Sequence, residues 1–158
     1  YFGKFISLHF APYLNERVAT DEQQDAFETI IDFLDGVNIV IPDDLKEYLD
    51  DAAKTIDLVD VSKKAAASVA AAIQDPEQYL KDNREMFERY KEVKASDAYK
   101  NTPGYRLQEL FAQLNRENGY NDVFIPAMRR LSSSYREYYE KLLKANEVFL
   151  KSYREARI

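Results

Sequence analysis

His9 is the single histidine of the chain and cysteine is absent, so few side chains are available for acid–base, nucleophilic or metal chemistry. A carboxylate-bridged metal pair in a helical bundle needs glutamates three residues before histidines on facing helices. No glutamate stands three residues before His9. Thiolate zinc sites, disulfides and a cysteine nucleophile are excluded outright. With Leu8 and Phe10 beside it, His9 reads as a partly buried residue with a hydrogen-bond partner, not as a ligand or base. The run Asp43, Asp44, Glu47, Asp50 and Asp51 has helical spacing and enough charge to attract a cation. It lacks the alternating oxygen ligands and central glycine of a calcium loop, so a solvated helix face is expected. Asp57 and Asp60 read the same way. Ser132, Ser133 and Ser134 are not framed by the glycines of a nucleophile turn, and no glycine-rich phosphate cradle occurs. The reading is a non-enzymatic protein, with no metal and no cofactor expected.

The charge balance narrows the partners. The 28 acidic and 22 basic residues are interspersed and leave a net charge of -6. Nucleic-acid binding needs a clustered basic footprint, so no nucleic-acid partner is expected. Arg129-Arg130 is the one adjacent arginine pair and reads as a solvated face. The opening stretch YFGKFISLHFAPYL is apolar, but Lys4 and His9 interrupt it. It falls short of the roughly 20 apolar residues of a spanning helix. Membrane contact is expected only if a segment before Tyr1 is an anchor. The start on Tyr1 suggests a piece of a longer protein, and nothing in the sequence assigns a compartment. A chain of 158 residues is expected to form a single helical domain, 1–158, with a real core.

Scarce glycine (4) and proline (5) favour helices over a turn-rich β fold. A first helix is expected from Phe2 towards Val18, broken or kinked at Pro12. Thr20 followed by Gln23 is a capping-box pattern, and Phe27, Ile30, Ile31 and Leu34 continue at helical spacing to a stop at Gly36. Val37–Ile41 is the one β-like run. With no second run to pair with, it reads as a buried connector. Pro42 opens a helix carrying Leu45, Tyr48, Leu49 and Ile56. The alanine-rich stretch through Ala72 reads as a helix that permits close approach, ended by Asp75-Pro76, and Asp75 caps the next helix. SDAYKNTPGY is expected to be a long loop. Leu107, Leu110, Phe111 and Leu114 define a further helix that stops at Gly119 in a left-handed cap. The last helix starts near Asn121 and runs towards the C-terminus, with a kink or a later true start imposed by Pro126. The expected fold is all-α, an antiparallel helical bundle of five to seven helices with a long C-terminal helix.

That last helix contains the tetrad Ser-Tyr-Arg-Glu twice, at Ser134–Glu137 and Ser152–Glu155. The copies are five turns apart, about 27 Å, and point the same way. Leu131, Tyr135, Tyr138, Leu142, Ala145, Phe149 and Ala156 keep an alternating spacing of three and four apart from Ser152, a heptad-like seam. Tyr139, Leu143, Asn146, Leu150 and Tyr153 form a second strip beside it. The repetition therefore follows from packing, with tyrosine at the seam and Arg and Glu at its flank. It also supplies tyrosine and arginine, which are enriched where proteins meet. The expected function is a protein-interaction module using this helix, with partner contacts at Tyr135, Arg136, Tyr139, Tyr153 and Arg154 and a protein partner or self-association. The alternative is a small-molecule-binding helical bundle with a tyrosine-lined pocket, suggested by twelve tyrosines. Elemental analysis of protein purified without chelator should find no stoichiometric zinc, iron or copper. An equivalent of metal that disappears in a His9→Ala variant would refute the reading of that residue.

Overall fold

The structure, a computed structural model, describes residues 9–37 and 40–155, and for Leu58 and residues 153–155 it describes the backbone alone. Residues 2–8 of the helix expected from Phe2 to Val18 lie outside the described residues, as do Asn38 and Ile39 of the connector. The described part is shorter than expected and ends in a 3-10 turn at Ala11–Tyr13, which contains Pro12. The fold is all-α, with no strand among the described residues. From Asp21 onward they hold nine α-helices, more than expected, because several stretches read as one helix are broken. The chain divides into two compact units. One comprises Tyr1–Leu49 and Leu107–Tyr139, the other Asp50–Arg106 and Glu140–Ile158.

The first unit is built on α1 (Asp21–Gly36). Its capping box forms as the sequence pattern requires. The Gln23 amide donates to Thr20 Oγ1 at 3.1 Å, and the Thr20 amide donates back to Gln23 Oε1 at 3.2 Å. Gln23 also donates through Nε2 to the Leu131 carbonyl at 3.1 Å, so one side chain caps α1 and ties it to a distant helix end. Ala26, Ile30 and Phe33 form the buried stripe of α1. They pack on α8 (Ile125–Leu131), which buries Ile125, Ala127, Met128 and Leu131. The helix α2 (Asp43–Thr55) starts in this unit and buries Leu45.

Phe124 is fully buried at the centre of this core. Its ring meets Phe10 edge-on at 4.9 Å, Phe33 at 5.1 Å and Tyr120 in a stack at 5.5 Å. Gly119 delivers it there. This residue adopts φ 76°, and a Cβ at that position would lie 3.2 Å from Val123 Cγ2. Both facts favour glycine. The wide turn that follows is closed by the Phe124 amide donating to the Gly119 carbonyl at 3.2 Å.

The expected continuous last helix is therefore two helices. Pro126 sits in the first turn of α8, where its missing N–H costs nothing. Ser132 then turns extended, with φ -118° and ψ 119°, and α9 (Ser133–Glu155) begins.

The second unit contains α3 (Leu58–Gln74), α4 (Pro76–Asp82), α5 (Arg84–Ala95) and α6 (Asp97–Lys100), and takes in Glu140 onward of α9. Asp57 caps α3 by accepting from the amides of Val59 and Asp60, and Asp75 caps α4 by accepting from Gln78. Asn83 separates α4 from α5, which the apolar pattern alone reads as one helix. Its side chain donates to the Tyr79 carbonyl at 2.8 Å and competes with the helical ladder. The loop expected over SDAYKNTPGY is corrected. It holds α6, capped by Ser96, and the start of α7 (Pro103–Glu117), where Thr102 accepts from the Tyr105 amide. Polar residues that resemble a loop serve here as caps.

Phe124→Ala should remove the hub of the first core and cost about 3–5 kcal/mol, whereas Val123→Ala, at an exposed position, should change stability by about 0.5 kcal/mol or less. Urea unfolding curves of the two variants would check this, and equal midpoints would remove Phe124 from the centre of the account.

Candidate interaction surface

α9 is held at its N-terminus by a residue far away in sequence. Ser132 is fully buried, and its Oγ accepts from the Tyr135 amide at 3.0 Å, the geometry of an N-cap. The same hydroxyl donates to Glu16 Oε1 at 2.7 Å. Glu16 accepts further from the Ser133 amide at 3.0 Å, the Ser134 amide at 3.1 Å and the hydroxyls of Ser133 and Ser134. One carboxylate thus satisfies amides that the first turn of a helix leaves open, where negative charge is favoured. The hydroxyls of Ser134 and Ser132, then the amides of Ser134 and Ser133, lower the carboxyl from 4.5 to about 2. The serine triplet is a clamp for a helix end.

Along α9 the seam expected from spacing is the inward face. Tyr135 and Ala145 are buried, and Tyr138, Leu142 and Phe149 are half-buried. Ala156 lies outside the described residues. The second strip differs: Leu143 is 43% exposed, Leu150 is 47% exposed, and Asn146 between them is exposed as well.

The residues proposed from sequence divide accordingly. Tyr135 is only 2% exposed and touches the rings of Phe10, Tyr13, Tyr138 and Tyr139, so it belongs to the core of the first unit and not to an accessible face. Arg136 is exposed. Tyr139 is half-buried, with the Arg129 guanidinium 5.1 Å above its ring. The side chains of Tyr153 and Arg154 lie outside the described residues.

Several other groups with chemical potential are engaged in packing or simple pairing. Tyr120 is raised to about 12 by burial and by nearby Tyr139 and Tyr138, and burial likewise raises Tyr135, Tyr13 and Tyr138. These phenols stay protonated at neutral pH. His9 is lowered by burial, which disfavours its charged form, and it meets the ring of Phe10 edge-on at 4.7 Å. Arg130 pairs with Asp25 at 2.8 Å. In the acidic helix Asp43 and Asp51 pair with Lys46 and Lys54 one turn on. No cluster of three metal-capable side chains occurs among the described residues, and no described helix is long and apolar enough to cross a membrane.

The second unit contains an apolar groove of about 240 Å³. Val69, Ile73, Phe87, Leu142 and Phe149 form its walls, and the hydroxyls of Ser68 and Tyr79 are hydrogen-bonded at its edge. Ala145 is the only buried apolar residue of this unit among the described residues. On α5, Met86, Tyr90 and Val93 recur at helical spacing and are all exposed. Their period is legible in the sequence, but it does not tell an inward stripe from an outward one. Glu16 had no local signal at all, since its partners are more than a hundred residues away.

The chain is thus an all-α protein whose last helix has a packed seam and, beside it, two exposed leucines, Leu143 and Leu150. No protein-family model matches it, and no curated protein or solved structure shows significant similarity.

Glu16→Gln should lower the melting temperature by a few degrees at neutral pH, because the clamp loses its charge. A depressed folded value means the stabilisation is fully present above the unfolded value of 4.5 and is lost as pH falls through about 2. The gap between wild type and variant should therefore close across that range in melting curves. A gap that stays constant down to the acid end would show that the charge of Glu16 contributes nothing.

Proposed function

We propose that this chain is a non-enzymatic helical protein-interaction module whose contact face is the second strip of α9. The observation that carries the reading is the exposure of Leu143 and Leu150 on a helix whose neighbouring seam is packed. A helix with two adjoining apolar strips and one packed face has a second face available for a partner. In the sequence, Arg136 and Tyr139 precede these leucines at helical spacing, and Tyr153 and Arg154 follow them. Burying each leucine against a partner would add roughly 1 kcal/mol, given that about half of each side chain is already covered. The net charge of -6 fits a protein partner better than nucleic acid.

Small-molecule binding is the second reading, and the groove beside Phe87 and Phe149 is the feature that favours it. Its volume of about 240 Å³ is below the 300–1,000 Å³ typical of ligand pockets, and Tyr79 is the one tyrosine in its lining. The exposed strip carries more weight.

The two faces of α9 can be tested separately. Leu143→Gln with Leu150→Gln, at the strip, should keep helicity and hold the melting temperature within a few degrees, while protein association falls in native mass and affinity-capture measurements. Leu142→Ala with Phe149→Ala, at the seam, should cost roughly 2 kcal/mol or more per side chain. A strip variant that unfolds as readily as the seam variant would make the strip part of the core and end this reading.

A further inference from the structure

α9 carries a second regularity beside the strip. About a point midway between Ala145 and Asn146, Glu140 is mirrored by Lys151 and Lys144 by Glu147. All four side chains are exposed, and at 3.6 residues per turn they fall on the flank next to Leu143 and Leu150. Lys144 and Glu147 make no ion pair with another described residue. In the sequence the two tetrads extend the pattern outward, with Glu137 mirrored by Arg154 and Arg136 by Glu155.

Mirror symmetry with opposite sign has a specific geometric meaning. When two copies of a helix lie antiparallel across a twofold axis, residues equidistant from that axis are level with each other, and like flanks meet. An axis at this midpoint sets Glu140 of one copy level with Lys151 of the other, and Lys144 level with Glu147. Each pairing occurs twice by symmetry. A parallel in-register pair would instead set this flank against the opposite one, so that the four charges would not meet their counterparts. Leu143 and Leu150 supply the apolar contact of the antiparallel arrangement. Asn146 lies next to the axis, where its amide can meet its own copy, and a polar residue at such a point specifies register.

We infer that the strip of α9 is a self-pairing surface whose occupant is a second copy of this chain, antiparallel, joined through Leu143 and Leu150 and flanked by Glu140–Lys151 and Lys144–Glu147 pairs. The inference rests on the reading of α9 as a contact helix and names its partner.

Sedimentation of the whole chain over a concentration series tests it, with circular dichroism as the control for folding. Wild type should pass from monomer to dimer as concentration rises, and the dimer should weaken with added salt. Glu147→Lys and Lys144→Glu should each weaken association about tenfold or more, since two symmetry-related contacts turn repulsive. Mixed together, the two variants should associate again, because each supplies the charge that the other lacks. An effect confined to one helix would not recover on mixing. Should either variant lose helicity, Glu140→Lys and Lys151→Glu test the same register. A wild type that stays monomeric, or a mixture no tighter than its separate components, would overturn self-pairing. In that case a strip variant that keeps its fold leaves the broader interaction reading in place, whereas one that unfolds removes both.

Discussion

The hydroxyl of Ser132 is out of reach of solvent, and it is shared between the amide of Tyr135 and the carboxylate of Glu16. A buried hydroxyl without partners would destabilise the fold by about 1–3 kcal/mol, so both bonds matter. They let the chain leave α8 and start α9 in a new direction without stranding the amides of the first turn. α8 can then face α1 through Ala127, Met128 and Leu131, while Tyr135 turns its ring onto Phe10. The Gln23 bond to the Leu131 carbonyl stabilises the same break from the other side.

From that corner the two faces of α9 follow. The seam is set by Tyr135 and by the alternation of three and four that carries it to Phe149. The strip sits about a quarter of a turn away and stays partly in water. Aromatic residues fill the first unit, where Phe124 and its neighbours meet edge-on or stacked and add to the burial term. The second unit contrasts with it. Its apolar residues are arranged in helical stripes, yet most keep substantial exposure. Hydrophobic burial is the main favourable term in folding, so stripes left in water are surface that a further chain can still cover.

The acidic and hydroxyl side chains that first suggest chemistry have structural work instead. The serine triplet and Glu16 cap a helix, the aspartates at positions 57 and 75 cap two others, and Asp43 and Asp51 pair within their own helix. Depressed or raised proton affinities here trace to capping and burial.

Much of the architecture was legible in the residues alone. The all-α class follows from repeated helical spacing with little glycine or proline. The capping box at Thr20, the cap at Asp75 and the left-handed Gly119 depend on neighbours within a few positions, so local chemistry suffices to specify them. The seam from Tyr135 to Phe149 was equally readable, because its period is a property of one helix. Helix breaks at Asn83 and Ser132 were not: at Asn83 the side chain competes with its own helical ladder, and at Ser132 it bonds a glutamate brought from elsewhere. The helix inside SDAYKNTPGY was hidden because serine and threonine look alike as loop residues and as caps. Which strip of α9 is covered was also beyond the sequence: a period says that a face exists, and only the packing of other helices decides whether water remains on it. Glu16 is the clearest case, a glutamate with no local mark whose role exists only because folding carries it across the chain to the start of α9.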